Sequence, residues 1–248
     1  MQAAVSEYAT RLGDDALILG QRLSEWCGHG PMLEVDLSLA NIALDLIGQA
    51  TLLLNLAGES QGADADKLAF HRDVLDFKNC LLVEQPNGDF AQTIARQFLF
   101  SNWHELVLRD LSRSRHAGLS AIAAKAVKEV AYHASFANEW IVRLGDGTAE
   151  SRARVEKGLE WNWRFVDELF DADATTAELV TGGIVPDAAA LRGEWDARIA
   201  ATLSRATLNA PKPHRAAKGG RKGHHSEHLG HLLSEMQFLP RAYPGATW

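Results

Sequence analysis

The chain has little cysteine and fewer bases than acids. Cys27 and Cys80 are the only two cysteines among 248 residues. Two cannot build the disulfide framework of a small secreted domain, so a reducing cytoplasm is the expected compartment. Lys plus Arg is 25 and Asp plus Glu is 32, giving 25 − 32 = −7. A chain with that balance does not bind nucleic acid across its whole surface. No basic cap followed by an apolar core opens the sequence at Met1–Tyr8, so no secretory signal is expected. No serine sits in a Gly-x-Ser-x-Gly elbow, and neither cysteine has a neighbouring His or Cys motif. Both cysteines read as small buried residues. No segment shows the strict alternation of a half-buried strand.

What is present is helical periodicity. Val5, Ala9, Leu12, Ala16, Leu19, Leu23 and Trp26 alternate steps of four and three, which predicts an amphipathic helix over 5–27. Gly28, Gly30 and Pro31 break it. A second helix is expected over 34–58. Within it, Leu37–Gly58 carries a single charge, Asp45, but also Ser38, Asn41, Gln49, Thr51 and Asn55. Those polar residues argue against a membrane span and for a helix buried on nearly all sides. Residues 59–67 read as a loop and 68–86 as short helical turns. A third long helix starts after Pro86-Asn87-Gly88-Asp89 and ends near His116–Gly118. A fourth runs from Leu119 to Gly145, with Gly145 as a left-handed cap. A fifth covers 149–171, a sixth starts at Pro186, and a last one spans 226–238 behind an N-cap at Ser226. Pro240 and Pro244 are expected to end regular structure. One all-α domain over 1–248 follows. Four long helices form its bundle, a core of about 5–144, and further helices and a Gly-rich basic loop occupy 149–248.

Helical bundles often hold metal between their helices. The di-iron carboxylate pattern requires a Glu on each of two helices and Glu-x-x-His on each of the other two. No Asp or Glu in this chain has a His three residues later. Asp45 is followed at that step by Gly48, and Glu129 by Tyr132, with His133 at a step of four that can still share a face. Asn41, Asp45 and Gln49 form a polar stripe on an apolar helix. With Glu129 and His133 they read as remnants of a bundle centre, without catalytic residues or resident metal in this chain. A working di-metal site from Glu25, Asp45, Glu105, Glu129 and His133 is the competing possibility.

Near the C-terminus, His224-His225-Ser226-Glu227-His228 matches the zinc pattern H-x-x-E-H. It follows a Gly-rich loop, only 20 residues remain beyond it, and no third ligand helix is in view, so a hydrolase reading is weak. The preceding Gly219-Gly220-Arg221-Lys222-Gly223 lacks the P-loop arrangement. Residues 209–225 hold five bases and no acid, so the rest of the chain has 20 bases against 32 acids, or −12. Arg221, Lys222, His224, His225, Glu227 and His228 are therefore candidate contacts to a partner or to an anion such as a CoA phosphate. A solvated loop with imidazoles bound to backbone is the plain alternative.

Several runs carry a resemblance. The run RLGDDALILGQRLSEWCGHGPMLEVDLSLANIALDLIGQA (Arg11 to Ala50) is similar to the family of C-type subunits of the bacterial phenylacetyl-CoA epoxidases, also called phenylacetate-CoA oxygenases. So are LLVEQPNGDFAQTIARQ (Leu81 to Gln97), KEVAYH (Lys128 to His133), RLGDGT (Arg143 to Thr148), ELFDAD (Glu168 to Asp173), GGRKGHHSEHLG (Gly219 to Gly230) and LLSEMQ (Leu232 to Gln237). The resemblance spans nearly the whole chain. It implies a ferritin-like four-helix bundle with additional C-terminal helices. It also implies a place in a cytoplasmic multicomponent monooxygenase of aromatic degradation that epoxidises the ring of phenylacetyl-CoA. In that family a homologous sister subunit holds the di-iron centre and binds substrate, and a reductase delivers electrons from NADPH. The C-type member is the non-catalytic structural partner in a hetero-oligomer. The resemblance therefore places no cofactor in this chain and expects di-iron in the partner, with no nucleic acid and no membrane involved. An oxygenase or oxidoreductase active in its own right is the alternative.

Overall fold

The computed structural model describes residues 1–212 and 215–246, and among them every regular element is helical. In chain order these are α1 (Gln2–Ser24), α2 (Leu33–Gly58), α3 (Ala65–Phe70), α4 (Leu81–Glu84), α5 (Phe90–Leu111), α6 (Ala117–Gly145), α7 (Ala149–Trp163), α8 (Ala174–Thr181), α9 (Ala188–Arg205), α10 (Glu227–Met236) and α11 (Phe238–Ala242). The all-α class expected from periodicity, with the helical content of a ferritin-like bundle, is what the structure shows. The residues group into two compact units. One is Met1–Gln85 together with the chain from Lys218 onward; the other is Pro86–Ala217.

In the first unit α1 and α2 pair antiparallel. Ser6 Oγ donates to Ala57 O at 2.6 Å at one end, and Gly20 lies against Ala43 and Ile47 near the other. Leu12, Leu19 and Leu23 of α1 and Leu39, Ile42, Leu46 and Leu53 of α2 are buried. Each such side chain contributes about 1.5–3 kcal/mol by leaving water. α10 returns to this unit, where Gln237 Nε2 donates to Ala69 O (2.9 Å) and Arg72 O (3.0 Å).

In the second unit α5 and α6 form another antiparallel pair. Phe90 meets Trp140 edge to face at 5.0 Å, and Asn102 Nδ2 donates to Asn138 Oδ1 at 2.8 Å. α7 and α9 also pack on α5. Trp195 of α9 is fully buried and donates from Nε1 to Leu99 O at 3.1 Å. Helix starts use side-chain caps: Asp89 accepts from Gln92 N, and Thr148 and Ser151 form a reciprocal capping box.

Several expectations are corrected. α2 is not buried on nearly all sides: 11 of its 26 residues are buried, against 17 of 22 in α5. Hydropathy alone does not set interior position here, and some of the buried polar groups of α5 have partners. Arg96 donates to Asn87 Oδ1 (2.6 Å) and Gln97 to Ser101 Oγ (2.6 Å). By length and composition alone, Leu33–Gln61 is long and apolar enough to cross a membrane. The Ser38 and Thr51 hydroxyls bond back to Glu34 O and Ile47 O, which lowers the cost of those interruptions. Cys27 is exposed, because α1 ends at Ser24 and leaves it in a turn; Cys80 is buried. The fifth helix stops at Trp163 and gives way to a 3-10 turn, Val166–Phe170, with α8 beyond it. Pro186 precedes the Asp187 cap of α9 rather than opening the helix. Pro240 sits in the first turn of α11, where its missing N–H has no helical partner to lose.

Gly145 ends α6 for a reason of space. Its φ is not positive, and Asp146 is the cap. A Cβ on Gly145 would stand 2.5 Å from Ala206 O and 2.9 Å from Leu208. Gly145→Ala therefore pushes α6 off the end of α9. We expect a loss of about 1–3 kcal/mol, read as a lowered urea midpoint with unchanged slope.

Candidate functional site

α1 carries two adjacent acids, Asp14 and Asp15, on its buried side. Burial pushes both carboxyls up from the ordinary range, and their arginine partners oppose that push. Arg72 forks onto both oxygens of Asp14, with Nη1–Oδ2 at 3.0 Å. The Lys78 backbone N–H adds a bond of 2.8 Å to Asp14 Oδ2. Arg221 reaches Asp15 Oδ2 at 2.6 Å, and the Cys80 N–H reaches Oδ1 at 2.7 Å. Arg221 also donates to Lys78 O and Arg11 O.

A second buried pair lies beside it. Glu84 accepts from His225 Nδ1 (2.7 Å), Ser226 N (2.6 Å) and Asn79 Nδ2 (2.9 Å). The other ring nitrogen of His225 faces Phe77 O at 2.9 Å. Both ring nitrogens thus face oxygen atoms, which fixes the orientation of the His225 ring. Arg22 donates to Glu84 O and His228 O, tying α1, α4 and the start of α10 together. The glycines of the loop serve this closure: a Cβ on Gly220 would stand 2.2 Å from Asn79 O, and Gly223 has φ +80°. The loop is an ionic clamp, and its glycines permit that closure by close approach at Gly220 and by positive φ at Gly223.

The six expected partner or anion contacts therefore divide. Arg221 and His225 turn inward to Asp15 and Glu84; Lys222, His224 and Glu227 are exposed and His228 is half-buried. Ser226 stands at the N-cap position of α10 without a side-chain cap bond, and its N–H donates to Glu84.

The bundle-centre remnants lie in separate units. Asn41 (exposed), Asp45 (half-buried) and Gln49 (buried) follow one another on α2; Glu129 and His133 belong to α6. In the second unit, buried His104 of α5 neighbours buried His133. In the sequence, His104 and Glu105 are what the third long helix offers to a bundle centre, but a lone imidazole has no spacing signal to mark it as a ligand. Its Nε2 has no hydrogen-bond partner among the described residues. Burial, and secondarily His133, lowers its pKa from 6.5 to about 3, so the ring is neutral. Glu105 is held by Arg198 at 3.0 Å, and Glu25 by Arg22 at 2.8 Å. An open cleft of about 370 Å³ between α5, α6 and α9 contains Arg198 and Arg205, each already paired with a carboxylate. Among the described residues no three His, Cys, Asp or Glu side chains are grouped so as to hold a metal ion. The donor set therefore does not fit a di-metal carboxylate centre, which requires several carboxylates and imidazoles converging.

Known proteins resemble this chain from end to end. The family model described as "Phenylacetic acid catabolic protein" matches residues 1–248. The C subunit of the 1,2-phenylacetyl-CoA epoxidase of Escherichia coli (strain K12) is 50% identical over 245 residues, covering 98% of this chain and 99% of that protein.

Two outcomes follow from this geometry. Arg221→Met leaves Asp15 buried without its cation, and we expect a loss of roughly 3–5 kcal/mol in urea unfolding. Loss of less than about 1 kcal/mol would mean that the clamp is dispensable. For His104, the unfolded chain takes up a proton below the ordinary 6.5, while the folded chain stays neutral down to about 3. The unfolded state then binds more protons in that window, so this residue makes stability fall with falling pH between 6.5 and about 3, and contributes no slope above 6.5. His104→Phe should remove up to roughly 3–5 kcal/mol of that acid loss, measured by denaturation at successive pH values.

Proposed function

The chain belongs to the phenylacetic acid catabolic protein family, and on that premise we propose that it is the non-catalytic structural subunit of a multicomponent phenylacetyl-CoA ring 1,2-epoxidase. It pairs with a homologous di-iron subunit that performs the oxygenation, and a reductase supplies that subunit with electrons. The setting is cytoplasmic phenylacetate degradation. The observation that carries this reading is the end-to-end relationship to a protein named as the C subunit of such an epoxidase. Physical chemistry supports it from a second side. No acid in the chain has a histidine three residues on, the α5–α6 interior presents two imidazoles, and Glu105 is held by Arg198. Electrostatically, the groups that looked free to act in chemistry are mostly engaged in holding the fold.

Metal analysis of the purified chain, alone and after iron loading, tests the proposal. We expect less than about a tenth of an equivalent of iron in the chain alone, with iron and oxygenase activity appearing only when the catalytic subunit is added. About two equivalents of iron in the isolated chain, together with oxygenation of phenylacetyl-CoA, would establish instead an oxygenase active in its own right.

A further inference from the structure

α2 has an outer face that no described residue of the chain covers. Leu33 is 70% exposed, Leu37 55% and Leu44 66%, with Leu52 and the cap residue Met32 beside them. These five are among the twelve exposed large hydrophobic residues found in the described chain, so exposed apolar surface is concentrated on one helix. Leu33, Leu37 and Leu44 follow at steps of four and seven, which sets them on one side. Exposed Asn41, Gly48, Thr51 and Asn55 continue that side. Large apolar side chains gathered on one exposed helix face, with small and polar residues between them, mark an interaction surface.

Gly48 points in the same direction. Glycine in a helix interior is unfavourable relative to alanine. At the other α1 and α2 glycines a Cβ would crowd a neighbour: Leu54 at Gly13, Ile47 and Ala43 O at Gly20, and Ala63 O at Gly58. At Gly48 a Cβ would meet nothing within 4 Å. No described residue occupies that space. A helix from outside, crossing α2 closely at Gly48 between Leu44 and Leu52, would need it.

Charge then selects the occupant. α2 contains Glu34, Asp36 and Asp45 and no lysine or arginine, and Glu59 follows its end. A second copy laid on the same face would set acid against acid with no base to compensate. An anionic lipid surface is disfavoured for the same reason, since interfacial helices that bind it carry Lys and Arg. We infer that the exposed face of α2 is the docking surface for a helix of the partner subunit, one with an apolar centre and Arg or Lys along its border. This inference rests on the hetero-oligomer reading given above.

The test uses the full chain and the catalytic subunit, with affinity from titration calorimetry and mass from light scattering. The variants are Gly48→Leu and Leu44→Lys, with Leu239→Ala, exposed in α11, as a control. Gly48→Leu should leave the Tm of the isolated chain unchanged or raise it by about 2 °C, yet weaken pairing at least about tenfold. Leu44→Lys should weaken it as much, the control should change it less than about twofold, and wild-type affinity should fall as salt rises. If the wild type pairs and both α2 variants pair within about twofold of it, the surface assignment is wrong while the subunit reading stands. If the wild type does not pair, the subunit reading fails and takes this inference with it. Self-association, or flotation with phosphatidylglycerol vesicles, that Leu44→Lys abolishes would assign the face to a second copy or a membrane and overturn the partner helix. Should Gly48→Leu fail to fold, Leu44→Lys decides the question by the same criteria.

Discussion

Two carboxylates side by side in the interior of α1 set the terms for the first unit. Asp14 and Asp15 lie at 0% and 1% exposure, where an unpaired charge would be prohibitive. The chain resolves this with cations drawn from distant points in the sequence, Arg72 for one acid and Arg221 for the other, and with backbone N–H groups of Lys78 and Cys80. The requirement propagates outward. Arg221 must approach closely, so Gly220 must lie flat against Asn79. The segment that follows then falls beside Glu84, where His225 and the Ser226 N–H complete a second buried pair. What reads in one dimension as a basic, histidine-rich tail is in three dimensions the counter-charge of an acidic helix.

That reversal explains what was legible in the sequence. Helix class and the long helices could be read from periodicity, because apolar spacing is a local property. The burial ranking of α2 and α5 could not, because it depends on which polar groups find partners: Arg96, Gln97 and Asn102 are buried with theirs, while Leu37 and Leu44 remain outside. The ligand spacing test was also local, and so could be applied to residues alone. Arg221 and His225 could not be placed, since their partners Asp15 and Glu84 lie 206 and 141 residues away. Gly145 misled for a related reason: a glycine at a helix end has two uses, left-handed backbone and close approach, and only the position of Ala206 distinguishes them.

Metal binding and a structural role make different demands on the same kind of helix. Where a di-metal bundle directs acids and imidazoles toward a common point, α6 here carries Glu129 with Tyr132 at the following turn, and α5 places a neutral imidazole in the interior. A neutral buried ring next to another imidazole tolerates an apolar core better than carboxylates would without a cation.

The discontinuity of the first unit also has a temporal meaning. Pro86–Ala217 is contiguous and is interposed between the two stretches that make up the other unit. On a ribosome, α1 and α2 emerge early, with Asp15 and Glu84 still lacking Arg221 and His225. The interposed segment can close as soon as it is clear of the exit tunnel. Asp14 can meet Arg72 early, but Asp15 and Glu84 gain Arg221 and His225 only after Pro86–Ala217 has been made, so two of the first unit's buried acids are paired late.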